Sequence, residues 1–212
     1  FASQSIVIPN AVCNLWENLV PCSASSSRLL YVSLLMYSKG FFLLLEAFVT
    51  LLRKGYILTL DVAGSFDSDE FMSANNFKKD FLRRIDNVNY EFGDNTVVYH
   101  GEVIGENKKR LFEDSDIFIF PTFFKSESFG LVLVEAMLSG CIVVASNEPF
   151  FEEVLAEGNH LFDKSSVDSL SITLESAIDR EDLTSQKELN IAYARSKFLL
   201  EHFEEKIANV FK

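Results

Sequence analysis

Ser126–Ala145 reads SESFGLVLVEAMLSGCIVVA: a polar approach, an apolar run of helical length, a Ser-Gly break, then a second apolar run. Residues 130–139 predict a helix, and 141–145 predict a strand covered on both faces. Ser128 is placed to cap the helix, and Gly130 lets the backbone approach a ligand closely. A helix starting near Phe129 turns free N–H groups and the positive end of its dipole toward whatever precedes it. Such a start is an anion site, with phosphate its usual occupant. Glu127 lies on the loop, to one side of that anion. Glu135 lies along the helix, about 9 Å from its start at about 1.5 Å per residue. The layout suits an anion with hydroxyl groups on both flanks, and a nucleotide sugar is such a ligand. Two glutamates at this spacing also occur by chance on solvated surfaces.

Outward from this stretch, short apolar runs alternate with helical patterns. Strands are predicted at 29–34, 56–62, 96–99, 117–121, 141–145 and 160–162. Helices are predicted at 41–53, 76–87, 106–114, 130–139, 150–156, 166–179 and 185–210, with a break in the last. Phe77, Phe81 and Ile85 recur at the helical interval. Continuous rather than alternating apolar strands, each followed by a helix, mean a parallel sheet with right-handed crossovers. The fold class is therefore α/β, a Rossmann-like three-layer domain with a mostly parallel sheet of about six strands. Its ligand site belongs at the C-terminal strand ends. The apolar run 29–52 is long enough to raise a membrane span. Ser38-Lys39-Gly40 and Glu46 interrupt it, and a strand, a turn and a helix explain it better.

Composition narrows the function. The 212 residues are 48% hydrophobic and 24% charged, ample for a sizeable core. A net charge of −12 leaves no basic stripe for nucleic acid. The three cysteines, Cys13, Cys22 and Cys141, have no metal-ligand spacing and no disulfide framework, which suits a reducing compartment. No GxGxxG, P-loop or nucleophile elbow is present, which argues against a nicotinamide enzyme despite the Rossmann-like pattern. No signal peptide is visible.

SESFGLVLVEAMLSG resembles the donor-binding signature of family 4 glycosyltransferases, retaining enzymes of the GT-B fold. LLYVSLLMYSKGFFLLLEAFVTLL at 29–52 is similar to the first strand, lysine loop and helix of the same domain. YHGEV at 99–103 and SDIFIFPTF at 115–123 follow in the expected order. The resemblance runs from Ile6 to Lys212. It implies one half of a GT-B enzyme: 1–28 as a remnant of the interdomain linker, with IPNAV marking the crossing, and 29–212 as the donor-binding domain. The chain opens on Phe1, and the resemblance places most of an acceptor-binding domain ahead of it. The chain by itself is then expected to bind donor and transfer little.

The resemblance also implies roles. Lys39 and Glu127 are the catalytic candidates, Lys39 on the diphosphate and Glu127 on the sugar hydroxyls. Ser33, Val103, Ser128, Phe129, Gly130, Leu131 and Glu135 join them in donor binding, Glu135 on the ribose and Val103 near the base through its backbone. The family places Gly-Arg five or six residues before the lysine, where this chain has Ser33-Leu34. A leucine cannot replace a charged fork. Lys125 is the nearest substitute cation, and Arg28 the second. His100, at a strand end, is a further candidate beside the base. Glu153 aligns with a family glutamate that follows a Gly-Gly turn, here replaced by Asn147–Phe151, whose aromatic residues could meet a sugar or the other domain. His160 and His202 have no visible partner.

No metal and no cofactor beyond the nucleotide diphosphate sugar are implied. The acceptor is a glycan or lipid-linked sugar held by the other domain, and the setting is the cytoplasm, with peripheral attachment at the inner membrane face and polysaccharide assembly as the process. Two other readings stay open: an epimerase or phosphorylase-like enzyme on the same fold, and a non-catalytic nucleotide-sugar-binding module.

Overall fold

The computed structural model describes residues 10–12, 28–127 and 129–210. Its six strands are β1 (Arg28–Val32), β2 (Thr59–Ala63), β3 (Val97–Tyr99), β4 (Ile117–Phe120), β5 (Ile142–Ser146) and β6 (His160–Phe162). All neighbours pair in parallel, in the order β3-β2-β1-β4-β5-β6. The expected α/β, Rossmann-like class is what the chain forms. The strands are apolar on both faces because helices cover both. Leu29, Tyr31, Leu60, Val62, Ile117 and Ile119 face one core. Helices α1 (Phe41–Arg53), α2 (Ala74–Phe92) and α6 (Val167–Ile178) close it. The predicted stripe of Phe77, Phe81 and Ile85 is buried there. Leu30, Val32, Phe118, Phe120, Val143 and Ala145 face the other core. It is closed by α3 (Gly105–Glu113), α4 (Leu131–Leu138), α5 (Phe151–Val154) and α7 (Leu183–Phe198). A last helix, α8, covers Leu200–Val210.

The long C-terminal helix breaks at Leu199, which is extended. The face that α7 turns inward is partly polar. Lys187 Nζ donates to Asp116 Oδ1 at 2.9 Å, and both side chains are buried. Asn190 donates to the Cys141 carbonyl at 2.7 Å. Cys141 is itself buried, as a core residue should be, whereas Cys13 and Cys22 lie outside the described residues. Most of 1–28 does too, although Val12 donates to the Phe198 carbonyl at 3.0 Å. Arg28 is the first residue of β1 rather than a residue ahead of it, and β1 ends at Val32, which leaves Ser33 and Leu34 to the loop. The apolar run 29–52 divides into β1, a turn and α1, and among the described residues no helix is long and apolar enough to cross a membrane.

The chain builds outward from β1 to β3, then returns to place β4 on the other side of β1. The loops leaving β1 and β4 therefore diverge, and the crevice between them is where open α/β sheets take ligands. Two contacts set these loops. Gly40 has φ +78°, and a Cβ there would lie 2.0 Å from the Pro121 carbonyl oxygen. The Phe123 amide donates to the Ser38 carbonyl at 2.8 Å. Gly40→Ala should therefore lose at least about 1–3 kcal/mol from the left-handed backbone alone, before the clash is counted. Urea unfolding measures this, and a loss within about 0.5 kcal/mol would place the substitution among ordinary surface changes.

Candidate functional site

Lys39 ends a short 3-10 turn (Tyr37–Lys39) immediately ahead of α1. Its carbonyl accepts from the buried Tyr31 hydroxyl at 3.1 Å. Its Nζ donates to Glu127 Oε2 at 2.6 Å, across 88 residues of sequence. The two side chains are 11% and 14% exposed. The ammonium also lies 4.7 Å from the Phe124 ring centroid and 5.8 Å from that of Phe120, an arrangement that favours the cation. A largely desolvated pair like this orients both groups toward each other.

The pair borders a cavity of about 450 Å³ over the C-terminal ends of β1 and β4. Of the sequence candidates, Ser33, Lys39, Val103, Glu127, Phe129, Gly130 and Leu131 line it. Ser128 lies outside the described residues. The N-cap of α4 is Gly130, at φ 70°, and no side chain bonds to the cap. The helix begins at Leu131, two residues later than the Phe129 start expected from sequence. Its first N–H groups, at Leu131 and Val132, belong to residues that line the cavity, an anion-ready start without a side-chain cap.

Glu135 does not line the cavity. Its carboxylate lies behind Lys108, whose Nζ reaches both oxygens, at 2.6 and 2.8 Å. Lys108 on α3 does line it. Sequence reasoning passes over this lysine because Lys108-Lys109-Arg110 looks like a solvated basic run. The available signal was its place in the first turns of the helix that follows the Val103 loop.

Other candidates lie elsewhere. Lys125 is 78% exposed and pairs with Glu70 at 3.0 Å, outside this cavity. It lines an adjoining pocket together with Leu34, which is 47% exposed, and Lys39. Arg28 is at the opposite end of β1 and reaches Asp61 at 3.4 Å. His100 turns its Nε2 to Asp61 Oδ1 at 2.6 Å, away from the cavity. The physical reason is Asp61, a nearly buried carboxylate on β2 that needs partners. Glu153 is exposed on α5 and outside the cavity lining. Phe151 is a fully buried core residue, its ring tilted against that of Phe120 at 5.7 Å, and so is unavailable to a sugar or another domain. Among the described residues no group of three or more His, Cys, Asp or Glu could hold a metal ion.

The fold is a Rossmann-like domain, and its cavity lies at the topological switch point. The chain belongs to the family described as glycosyl transferases group 1, whose model matches residues 24–196. It is 25% identical over 226 residues to the lipopolysaccharide 1,2-N-acetylglucosaminetransferase of Salmonella typhimurium, covering 99% of this chain and 58% of that protein. Its fold is similar to that of a glycosyltransferase from Rickettsia africae, with TM-score 0.76, 18% identity and coverage of 96% of this chain and 55% of the other. It is likewise similar to Anabaena HepE, solved in complex with UDP and glucose, with TM-score 0.70, 22% identity and coverage of 87% and 47%. Structural neighbours of this kind are GT-B glycosyltransferases. The chain spans about half the length of these relatives.

Burial raises the pKa of Glu135 above the ordinary glutamate value of 4.5, and Lys108 opposes that rise. With the folded value raised, Glu135 holds its proton more readily in the folded chain. Its contribution to stability is greatest below 4.5 and declines as pH rises through the folded value. Lys108→Met should move the Glu135 titration further upward in a carbon-13 carboxyl NMR experiment. An unmoved midpoint would mean that another group holds the carboxylate.

Proposed function

We propose that this chain is the nucleotide-sugar donor-binding half of a family 4 retaining glycosyltransferase. The observation that carries the reading is the Lys39–Glu127 pair at 2.6 Å, beside the open start of α4 in one cavity. A diphosphate sugar satisfies both groups at once. Lys39 and the Leu131 and Val132 amides take the diphosphate and the charge that develops as it departs, the electrostatic role expected of preorganised donors. Glu127 accepts hydroxyls of the transferred sugar. Glu135 serves the ribose, and the Val103 loop serves the base. The reaction needs no metal and no further cofactor in this reading.

The acceptor, a glycan or lipid-linked sugar, meets residues beyond this chain. Glycan or polysaccharide assembly at the cytoplasmic face of a membrane, through peripheral attachment, is the setting that fits. The likeness to a lipopolysaccharide N-acetylglucosaminetransferase supports that process. The likeness to a fold solved with UDP supports a uridine nucleotide as the first donor to try.

A panel of nucleoside diphosphates and their sugars tests the reading by thermal shift. A uridine or guanosine diphosphate sugar at a hundredfold excess over its Kd should stabilise the chain by roughly 2.7 kcal/mol. No shift with any nucleotide at millimolar concentration would remove the donor-site reading.

Lys39→Ala should weaken nucleoside diphosphate binding more than tenfold, beyond about 1.4 kcal/mol. Glu127→Gln should weaken binding of the nucleotide sugar but not of the bare diphosphate. Glutamine is the right probe, because removing the side chain would leave Lys39 charged and unpaired in a mostly buried place. Calorimetry with both ligands decides it, and equal losses for both in Glu127→Gln would undo the assigned division of labour.

A further inference from the structure

The cavity wall where a ribose would lie is made by Lys108, with Glu135 immediately behind it. The two side chains are 24% and 15% exposed, so a ligand reaches the lysine first. An ammonium has three N–H donors. Two of them go to the Glu135 oxygens, at 2.6 and 2.8 Å, and the third has no partner among the described residues. Each carboxylate oxygen accepts one bond from Lys108 and keeps a further acceptor site. The pair therefore offers a donor and an acceptor side by side, with no net charge. That makes it a poor phosphate site and a good match for two adjacent hydroxyls, each of which both donates and accepts.

Its position agrees. Lys108 stands on α3, which follows the Val103 loop, while Glu135 stands on α4, whose start faces the Lys39–Glu127 end of the cavity. A group bound between them lies between base and diphosphate. Resting on the donor-site reading above, we propose that Lys108 is a direct ribose ligand. It donates to a hydroxyl of the vicinal diol while holding Glu135 to accept from the same diol, so that the pair selects ribonucleotides over 2′-deoxyribonucleotides.

The test is calorimetry of the intact chain with UDP and 2′-deoxy-UDP, or with the guanosine pair if that base binds better. The unaltered protein should favour the ribonucleotide at least tenfold. Lys108→Met should reduce the preference below threefold, and Lys108→Arg should keep most of it. Because Lys108→Met leaves Glu135 without its partner and can unfold the chain, the same change is also made in a Glu135→Gln background, where no buried charge is stranded. There, a further threefold or greater loss of ribonucleotide preference on removing Lys108 supports direct donation. No further loss means that the lysine only positions Glu135, and the proposal falls. A full preference retained in Lys108→Met overturns it as well. Failure of the unaltered protein to bind either nucleotide would take down the donor-site reading itself, and this inference with it.

Discussion

The approach of Gly40 to the Pro121 carbonyl holds the site together. No carbon fits between them, so the loop leaving β1 and the loop leaving β4 lie in direct backbone contact. The Phe123–Ser38 hydrogen bond adds a second tie within a few residues. Lys39 sits beside one tie, and Glu127 follows the other. A flexible ammonium and a loop carboxylate far apart in sequence would otherwise lose much side-chain and loop entropy on meeting. The sheet topology and one glycine have already absorbed that loss. A ligand entering the crevice thus finds its charged partners preorganised, the condition under which electrostatic stabilisation is strongest.

Most of the fold is legible in the sequence for a simple reason. A strand in a parallel sheet, covered on both faces, must be apolar at successive positions, and the runs at 29–34, 117–121 and 141–145 could be little else. Helix α1 is read to the residue, since a left-handed glycine starts it and Lys54-Gly55 follows it. Helix α7 is harder, because Gln186, Lys187 and Asn190 face inward. Their partners, the Glu157 carbonyl, Asp116, Asn159 and the Cys141 carbonyl, belong to distant segments and leave no local periodic trace. Boundaries slip where the chain leaves the sheet, as at Ser33 and Leu34. There Ser33 still donates to the Ala63 carbonyl at 3.1 Å and Leu34 prolongs the apolar run, so the pattern outlasts the strand.

The site is legible along the chain and obscure across it. Residues that follow one another, such as Glu127 with Phe129–Leu131, can be placed by loop and helix rules. Pairings cannot. Nothing local indicates that Lys125 turns out to Glu70, that His100 is claimed by Asp61, or that Lys108 covers Glu135. Each is a cross-element contact between a basic side chain and a carboxylate from a distant segment. Asp61 and Glu135 are mostly buried, and each draws in the nearest basic side chain.

That competition for cations bears on how an acidic chain can hold an anion at all. With a net charge of −12, the long-range field opposes a nucleotide, and only local groups can reverse it. The cavity does not gather free lysines for the purpose. Lys39 and Lys108 each come with a carboxylate, so both pairs are neutral overall. The α4 start adds the partial positive charge of its free backbone N–H groups, while Glu102 also lines the cavity. On the donor-site proposal, a diphosphate would draw Lys39 partly away from Glu127, and the loss would be made good only if Glu127 found hydroxyl donors at the same moment. A ligand with phosphates alone leaves that carboxylate short of partners, and one with sugar alone leaves the ammonium where it was. Neutral pairs in an acidic domain thus favour a ligand that carries both parts in one molecule.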